Sequence, residues 1–334
     1  MSLTRRIGNM STLLLPCIGR KIIEGMPQYL VRHPNGKLLL ERSIEGIYAD
    51  TYEKIIITVL EEDNRIFNAA HIILQEMGKK YPLQIVELPE MTSGPAETIY
   101  RTLKRTNTIG EIVIKDSDNY IEITNKMSGN FVAGLALNDW DRDIHNLREK
   151  SFLILNEQKN VLDIIEKQIR SDVICLGLYG FKRADDFLRA YEKLNDESYP
   201  IHSLFISHII SYLIGYGNKV FRYTTATSYE NWGDERLWKD MQRDYTMYFI
   251  DLDNILGSQE FLIEKHKQKL YALQSRGAYF IGYTTHDEKY KINALRILEE
   301  AGLHFIKVVY GCPYSAMKEI IDSDEVLDQK VIEL

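Results

Sequence analysis

The sequence predicts an α/β protein of two domains. The first is built on a mixed, mainly parallel sheet with helices on both faces, and the second is a smaller α/β unit. Three observations predict this. Short apolar runs alternate with amphipathic stretches along most of the chain. Two of those runs end in paired aspartates, Glu111-Ile112-Val113-Ile114-Lys115-Asp116-Ser117-Asp118 and Met247-Tyr248-Phe249-Ile250-Asp251-Leu252-Asp253. The 334 residues suffice for two hydrophobic cores.

Taken in order, strands are expected at Thr12–Cys17, Lys54–Leu60, Leu83–Leu88, Glu111–Lys115, Phe131–Leu137, Phe152–Leu155, Val173–Phe181 and Lys219–Thr225. Most are short apolar runs of the kind that a sheet covered on both faces requires. Between them, Lys37–Ala49, Asn64–Gly78 and Pro95–Arg105 carry apolar residues at three- and four-residue spacing and predict helices. A charged stretch, Gly233–Asp244, separates this region from a second alternation. That one runs strand Thr246–Ile250, helix Gln259–Arg276, strand Tyr279–Tyr283, helix Glu288–Ala301 and strand Phe305–Val309. The predicted domains are therefore 11–243 and 244–334.

Composition bounds the function classes. Hydrophobic content of 45% and charged content of 27% are ordinary for a globular protein. A formal net charge of -7 argues against a nucleic-acid partner, which would call for a basic field. The three cysteines, Cys17, Cys175 and Cys312, form no close pair and predict neither a zinc site nor an oxidising compartment. Leu13-Leu14-Leu15 is cut short by Pro16 and Gly19-Arg20-Lys21, so neither a signal peptide nor a membrane span is expected. A cytoplasmic protein is.

Two carboxylates at the end of a buried strand repel one another, and a hard cation relieves that cost. Parallel α/β sheets also place ligands at the carboxyl ends of their strands. Asp116 with Asp118, and Asp251 with Asp253, are thus candidate Mg²⁺ and phosphate sites. Other candidates have plainer readings. His202 and His208 lie in an apolar stretch without a nearby acidic partner, and Trp140, Trp232 and Trp238 read as packing residues. Arg20 and Lys21 read as well as surface cations as they do as ligands.

Ordered motifs in the first half raise the functional reading. They are Pro16-Cys17-Ile18-Gly19-Arg20, Met26-Pro27-Gln28, Thr92-Ser93-Gly94-Pro95-Ala96-Glu97-Thr98, Ile165-Glu166-Lys167, Gly177-Leu178-Tyr179-Gly180-Phe181 and Trp232-Gly233-Asp234. In this order, over most of residues 11–240, the chain resembles the sugar-phosphate nucleotidyltransferases of the bacterial capsule and lipopolysaccharide type. The resemblance implies a Rossmann-like GT-A fold and attack of a sugar- or polyol-phosphate on the α-phosphorus of a nucleoside triphosphate. It implies that Gly19 and its neighbours cradle the triphosphate and that Arg20 offsets charge on the departing pyrophosphate. Asp116 and Asp118 would hold Mg²⁺, and Lys167 and Glu166 would bind the sugar phosphate and a sugar hydroxyl. Gly94 would admit the base, and Gly177 belongs to the strand beside the substrate. The chain departs from the pattern in a short phosphate loop, in Gln28 where the family has lysine, and in Asp234 where it has threonine. A GT-A glycosyltransferase shares the aspartate pair but explains Glu166-Lys167 less well.

In the second half, Asp251-Leu252-Asp253-Asn254-Ile255-Leu256 resembles the first motif of the haloacid-dehalogenase (HAD) phosphatases. The resemblance implies that Asp251 is the nucleophile and a metal ligand, and Asp253 the acid/base. It also implies that Thr284 binds the phosphoryl group, that a lysine contacts phosphate (Lys318 first, with Lys289 and Lys291 as alternatives), and that an acidic residue, Asp322 first and Asp324 second, completes the Mg²⁺ site. One amphipathic helix fills the space between Leu256 and Tyr279, so the domain is expected to be capless. The expected protein is a bifunctional enzyme of surface-polysaccharide or lipid precursor synthesis, working on a nucleoside triphosphate and a sugar- or polyol-phosphate. The alternative is a binding protein that has lost one or both activities and serves as a regulator or scaffold.

Overall fold

The computed structural model describes residues 11–19, 21–23, 25–139, 147–196, 203–233, 238, 245–256, 264–287, 289 and 291–313. The chain divides into two compact units, with the main boundary after Trp238.

The first unit opens with β1 (Ser11–Pro16), a ribbon of β2 (Lys21–Ile23) and β3 (Met26–Pro27), α1 (Leu39–Ile44) and β4 (Lys54–Leu60). It continues through α2 (Glu61–Phe67), α3 (Ala69–Met77), β5 (Leu83–Leu88), α4 (Pro95–Thr106), β6 (Glu111–Lys115) and β7 (Asn119–Ile123). There follow β8 (Phe131–Ala136), β9 (Phe152–Leu155), β10 (Asn160–Ile165), β11 (Val173–Phe181), α5 (Ala184–Asp196), α6 (Ile206–Gly215) and β12 (Phe221–Asn231). Ten strands form one sheet in the order β5-β4-β1-β6-β11-β8-β12-β10-β9, with β7 paired to β12. Neighbours are parallel from β5 to β6 and between β8 and β12, whereas β11 lies antiparallel to both β6 and β8.

Side-chain alternation explains why the parallel strands read as unbroken apolar runs. Leu14 sits between Ile56 and Ile114 and packs against Ala96, Ile99 and Leu103 of α4 and against α5 and α6. Leu13, between Ile55 and Val113, points the other way, into a core shared with Ile44 of α1 and Ile73 and Met77 of α3. Each face of the sheet is covered by helices, so both parities must be apolar. At roughly 1.5–3 kcal/mol for each fully buried aliphatic side chain, these two layers dominate the folding of the unit.

Several elements differ from expectation. The helix over Asn64–Gly78 is two helices, broken where Asn68 adopts φ 55°. Lys37–Ala49 shortens to α1 followed by 3₁₀ turns, with Tyr48 left-handed. Strands β2, β3, β7 and β10 and helices α5 and α6 fall outside the expected elements. β10 buries only Val161 and Ile164, which share a core with α6, and Asp163 at the register shift between them interrupts its apolar run.

The second unit contains β13 (Met247–Asp251), α7 (Leu252–Ile255), α8 (Glu264–Gln274), β14 (Tyr279–Tyr283), α9 (Lys291–Glu300) and β15 (Phe305–Val309). Its strands form a parallel sheet in the order β13-β14-β15. Ile250, Leu252, Leu270, Phe280 and Leu298 make its core. Among the described residues no helix is long and apolar enough to cross a membrane.

Candidate active site

The first unit carries a cleft of about 400 Å³ at the carboxyl ends of β1 and β6. Pro16 to Gly19 form one wall, leaving β1, and Cys17 donates its N–H to the Thr58 carbonyl (2.8 Å). That donor is therefore spent on the sheet. Burial pushes the Cys17 thiol up to about 12, which keeps it inert.

Asp116 and Asp118 follow β6 at the floor. The Asp116 N–H donates to the carbonyl of Gly177 on β11 (2.8 Å). Gly177 has φ 75°, and a Cβ there would stand 2.7 Å from Asp116 Cγ and closer still to Oδ2. Only glycine admits the carboxylate to this place. Burial raises the Asp116 pKa, the charge of Asp118 adds to the rise, and Lys115 opposes it. Among the described residues no hydrogen-bond donor reaches the Asp116 carboxylate, whereas Asp118 Oδ1 accepts from Asn119 Nδ2 (3.1 Å). A half-buried carboxylate pair with so few donors fits a divalent cation. No group of three or more His, Cys, Asp or Glu side chains suited to a metal occurs among the described residues. Mg²⁺ commonly takes one or two carboxylates and completes its octahedron with water and substrate phosphates, so the donor set suits it.

Beneath the pair lies Lys115, fully buried. Its ammonium donates to the carbonyl of Asp116 (2.5 Å), the carbonyl of Asn119 (2.9 Å) and Asn119 Oδ1 (2.7 Å). Burial draws its pKa down, against the pull of Asp116 and Asp118. Across the cleft, Glu166 accepts from Ser151 Oγ (2.5 Å) and Ser207 Oγ (2.6 Å). Lys150 donates to the Tyr229 hydroxyl (2.9 Å). Burial depresses its ammonium, but Tyr229, Asp118 and Asp116 more than offset this, so its pKa stands above the ordinary value. Lys167, left-handed at φ 53°, lies 3.6 Å from Glu149 and 5.0 Å from the centre of the Phe205 ring, with its side chain 46% exposed.

Gly19, Asp116, Asp118, Glu166, Lys167 and Gly177 thus share one cleft. Arg20 and Asp234 lie outside the described residues. Gly94 precedes α4, where a Cβ would stand 2.9 Å from the Leu204 carbonyl, and its neighbour Pro95 lines the cleft. Gln28 lines the cleft too, but its Nε2 donates to the Trp232 carbonyl (2.5 Å). His208 accepts from the Phe205 N–H (3.1 Å) and lines no part of the site. Sequence reasoning passed over Lys115, Lys150, Tyr229, Ser151 and Ser207. Lys115 carried a signal, as a charge inside an apolar run; the others carried none, because their role comes from strands far apart in the chain.

In the second unit, Asp251 ends β13 and accepts from the Asp253 N–H (3.1 Å). Asp253 accepts from Thr284 Oγ1, from Thr285 N (2.9 Å) and Oγ1 (2.7 Å), and lies 3.1 Å from His286 Nδ1. Burial opposes ionisation, yet these donors hold Asp253 down at about 2. Asp251, Asp253 and Thr284 are therefore together at the carboxyl ends of adjacent parallel strands. Lys318 and Asp322 lie outside the described residues.

No protein-family model matches the sequence, and no curated protein matches it. Solved structures do. A nucleoside-diphosphate-sugar pyrophosphorylase from Vibrio cholerae RC9 is similar with a TM-score of 0.58 at 20% identity, over 69% of this chain and 99% of that one. The inositol-1-phosphate CTP transferase from T. maritima gives 0.53 at 12%, over 70% and 97%. A UDP-glucose pyrophosphorylase complexed with UDP-glucose gives 0.53 at 14%, over 70% and 97%. The shared span is more than twice the size of the second unit. The first unit therefore has the mixed α/β fold of sugar-phosphate nucleotidyltransferases.

Proposed function

We propose that the first unit transfers a nucleotidyl group from a nucleoside triphosphate to the phosphate of a sugar or polyol, releasing pyrophosphate. The observation that carries this reading is the cleft itself. It gathers a half-buried carboxylate pair, a hydrogen-bonded glutamate and two lysines at the strand ends of a fold shared with pyrophosphorylases and a CTP transferase. Asp116 and Asp118 would hold Mg²⁺, which when bound supplies positive charge between the phosphates. Gly19 and its neighbours would line the triphosphate, and Arg20 would face the leaving pyrophosphate. Glu166, oriented by Ser151 and Ser207, would accept a hydrogen bond from an acceptor hydroxyl. No covalent nucleophile is needed, since in-line phosphoryl chemistry rests on position and charge. The product would serve as a precursor of surface polysaccharide, made in the cytoplasm.

For the second unit we propose a HAD-type, Mg²⁺-dependent phosphatase domain with Asp251 as nucleophile, Asp253 as acid/base, Thr284 and Lys318 on phosphate and Asp322 on the metal. Support comes from the meeting of Asp251, Asp253 and Thr284 on adjacent strands. A second reading, a nucleotide- or sugar-phosphate-binding regulator without turnover, is favoured by two observations. The Gln28 amide is spent on Trp232, and Asp253 is held ionised by donors that would otherwise meet substrate.

The test is release of pyrophosphate from a matrix of nucleoside triphosphates and sugar or polyol phosphates with Mg²⁺, alongside phosphate release from phosphomonoesters. Asp116→Asn is expected to abolish the first and Asp251→Asn the second. Binding without either release would establish the regulator.

A further inference from the structure

The cleft is short of cations that can meet an anionic substrate. Lys115 is beneath the floor with all three of its donors used on Asp116 and Asn119. Gln28 is neutral and tied to Trp232. Lys167 is half-exposed, beside Glu149 and over Phe205. Lys150 differs from Lys115 and Gln28 in its unspent donors, and from Lys167 in being held by a hydrogen bond to a buried tyrosine. It lines the cleft and spends one donor on Tyr229, and two of its three donors have no partner among the described residues.

Its position also selects what it meets. The Lys150 carbonyl accepts from the Lys167 N–H (3.1 Å), and the next residue, Ser151, hydrogen-bonds Glu166. Lys150 is thus fastened to the segment that would hold the acceptor, while its ammonium feels the charges of Asp116 and Asp118 at the floor. In an in-line transfer, the acceptor's phosphate must stand between those two places.

We propose that Lys150, steadied by the Tyr229 hydroxyl, is the cation that binds the phosphate of the acceptor and turns one of its oxygens toward the α-phosphorus. This rests on the nucleotidyl-transfer reading for its chemistry. That oxygen forms the new P–O bond, and the bond from the α-phosphorus to the departing bridge oxygen breaks, its electron pair leaving with pyrophosphate. Lys150 keeps its protons throughout. It does for the acceptor what Gln28 cannot do, since an amide carries no charge.

The experiment measures binding of glucose 1-phosphate, inositol 1-phosphate and glycerol 3-phosphate to the full chain by calorimetry, with pyrophosphate release followed in parallel. Lys150→Met is expected to weaken the best-binding phosphomonoester at least tenfold and to raise its KM likewise. Lys150→Arg should recover part of the loss, and the KM for the nucleoside triphosphate should stay within twofold. If Lys150→Met does not fold, as judged by circular dichroism, Tyr229→Phe takes its place, with two- to fivefold weakening expected. Unchanged affinity in a folded variant overturns the proposal, as does a wild type that binds none of the three probes. A wild type that binds a probe but releases no pyrophosphate with any nucleotide defeats the nucleotidyl-transfer reading, while the ratio between wild type and variant still decides Lys150.

Discussion

Gly177→Ala is the substitution that bears most directly on the floor of the cleft. The residue has φ 75°, a conformation that costs an alanine about 1–2 kcal/mol. The new methyl would also stand 2.7 Å from Asp116 Cγ and 2.9 Å from its Cβ, where an ordinary carbon contact is about 3.5–4.0 Å. Asp116 must therefore move by about 1 Å, and crowding of this kind costs about 1–3 kcal/mol. The total loss is about 2–5 kcal/mol, or a fall in melting temperature of roughly 5–15 °C for a unit of this size. A carboxylate displaced by about 1 Å should lower pyrophosphate release on the order of a hundredfold. The control is Gly215→Ala at the end of α6, where a Cβ meets nothing within 4 Å; it should leave stability equal or slightly higher. The assay pairs thermal melts with Mg²⁺-dependent turnover of both variants. A Gly177→Ala protein that melts with the wild type and keeps its rate would refute the argument that this glycine exists to admit Asp116.

Two further predictions concern Lys115 and Asp253, charged groups held by several hydrogen bonds. Lys115→Met leaves two carbonyls and the Asn119 amide oxygen without their donor and removes the cation nearest Asp116; we expect about 3–5 kcal/mol of destabilisation in denaturant titration, and a loss under about 1 kcal/mol would show the ammonium to be dispensable. The Asp253 pKa is depressed to about 2, so the group stabilises the fold fully above its unfolded value of about 3.9, and that contribution is lost as pH falls through about 2. Asp253→Asn should therefore remove part of the acid sensitivity of the second unit between about pH 4 and 2. Parallel acid-unfolding curves for the two proteins would count against the hydrogen bonds from Thr284 and Thr285.

Much of this was legible in the chain. The inner parallel strands β1, β4 and β6 declare themselves because helices cover both faces, so their central positions must be apolar, and the aspartates at the ends of β6 and β13 stand out for the opposite reason. Glu166, Gly177 and Asp116 were named from motifs, and they line one cleft. Strand β10 escaped notice because Asp163 interrupts its apolar run, and the break at Asn68 because a single left-handed residue leaves the helical spacing on either side intact.

What the sequence determined by itself was the pattern: two α/β units, the strands whose burial writes itself into composition, and the carboxylates at their ends. What only the tertiary structure decided was the company those carboxylates keep. Lys150 meets Tyr229 across 79 residues and Ser207 meets Glu166 across 41, through strands and a helix that the sheet order brings side by side. The physical reason is range. Periodicity reports which face of an element is buried, whereas the charge balance of a cleft depends on register between distant strands, and no local pattern records that.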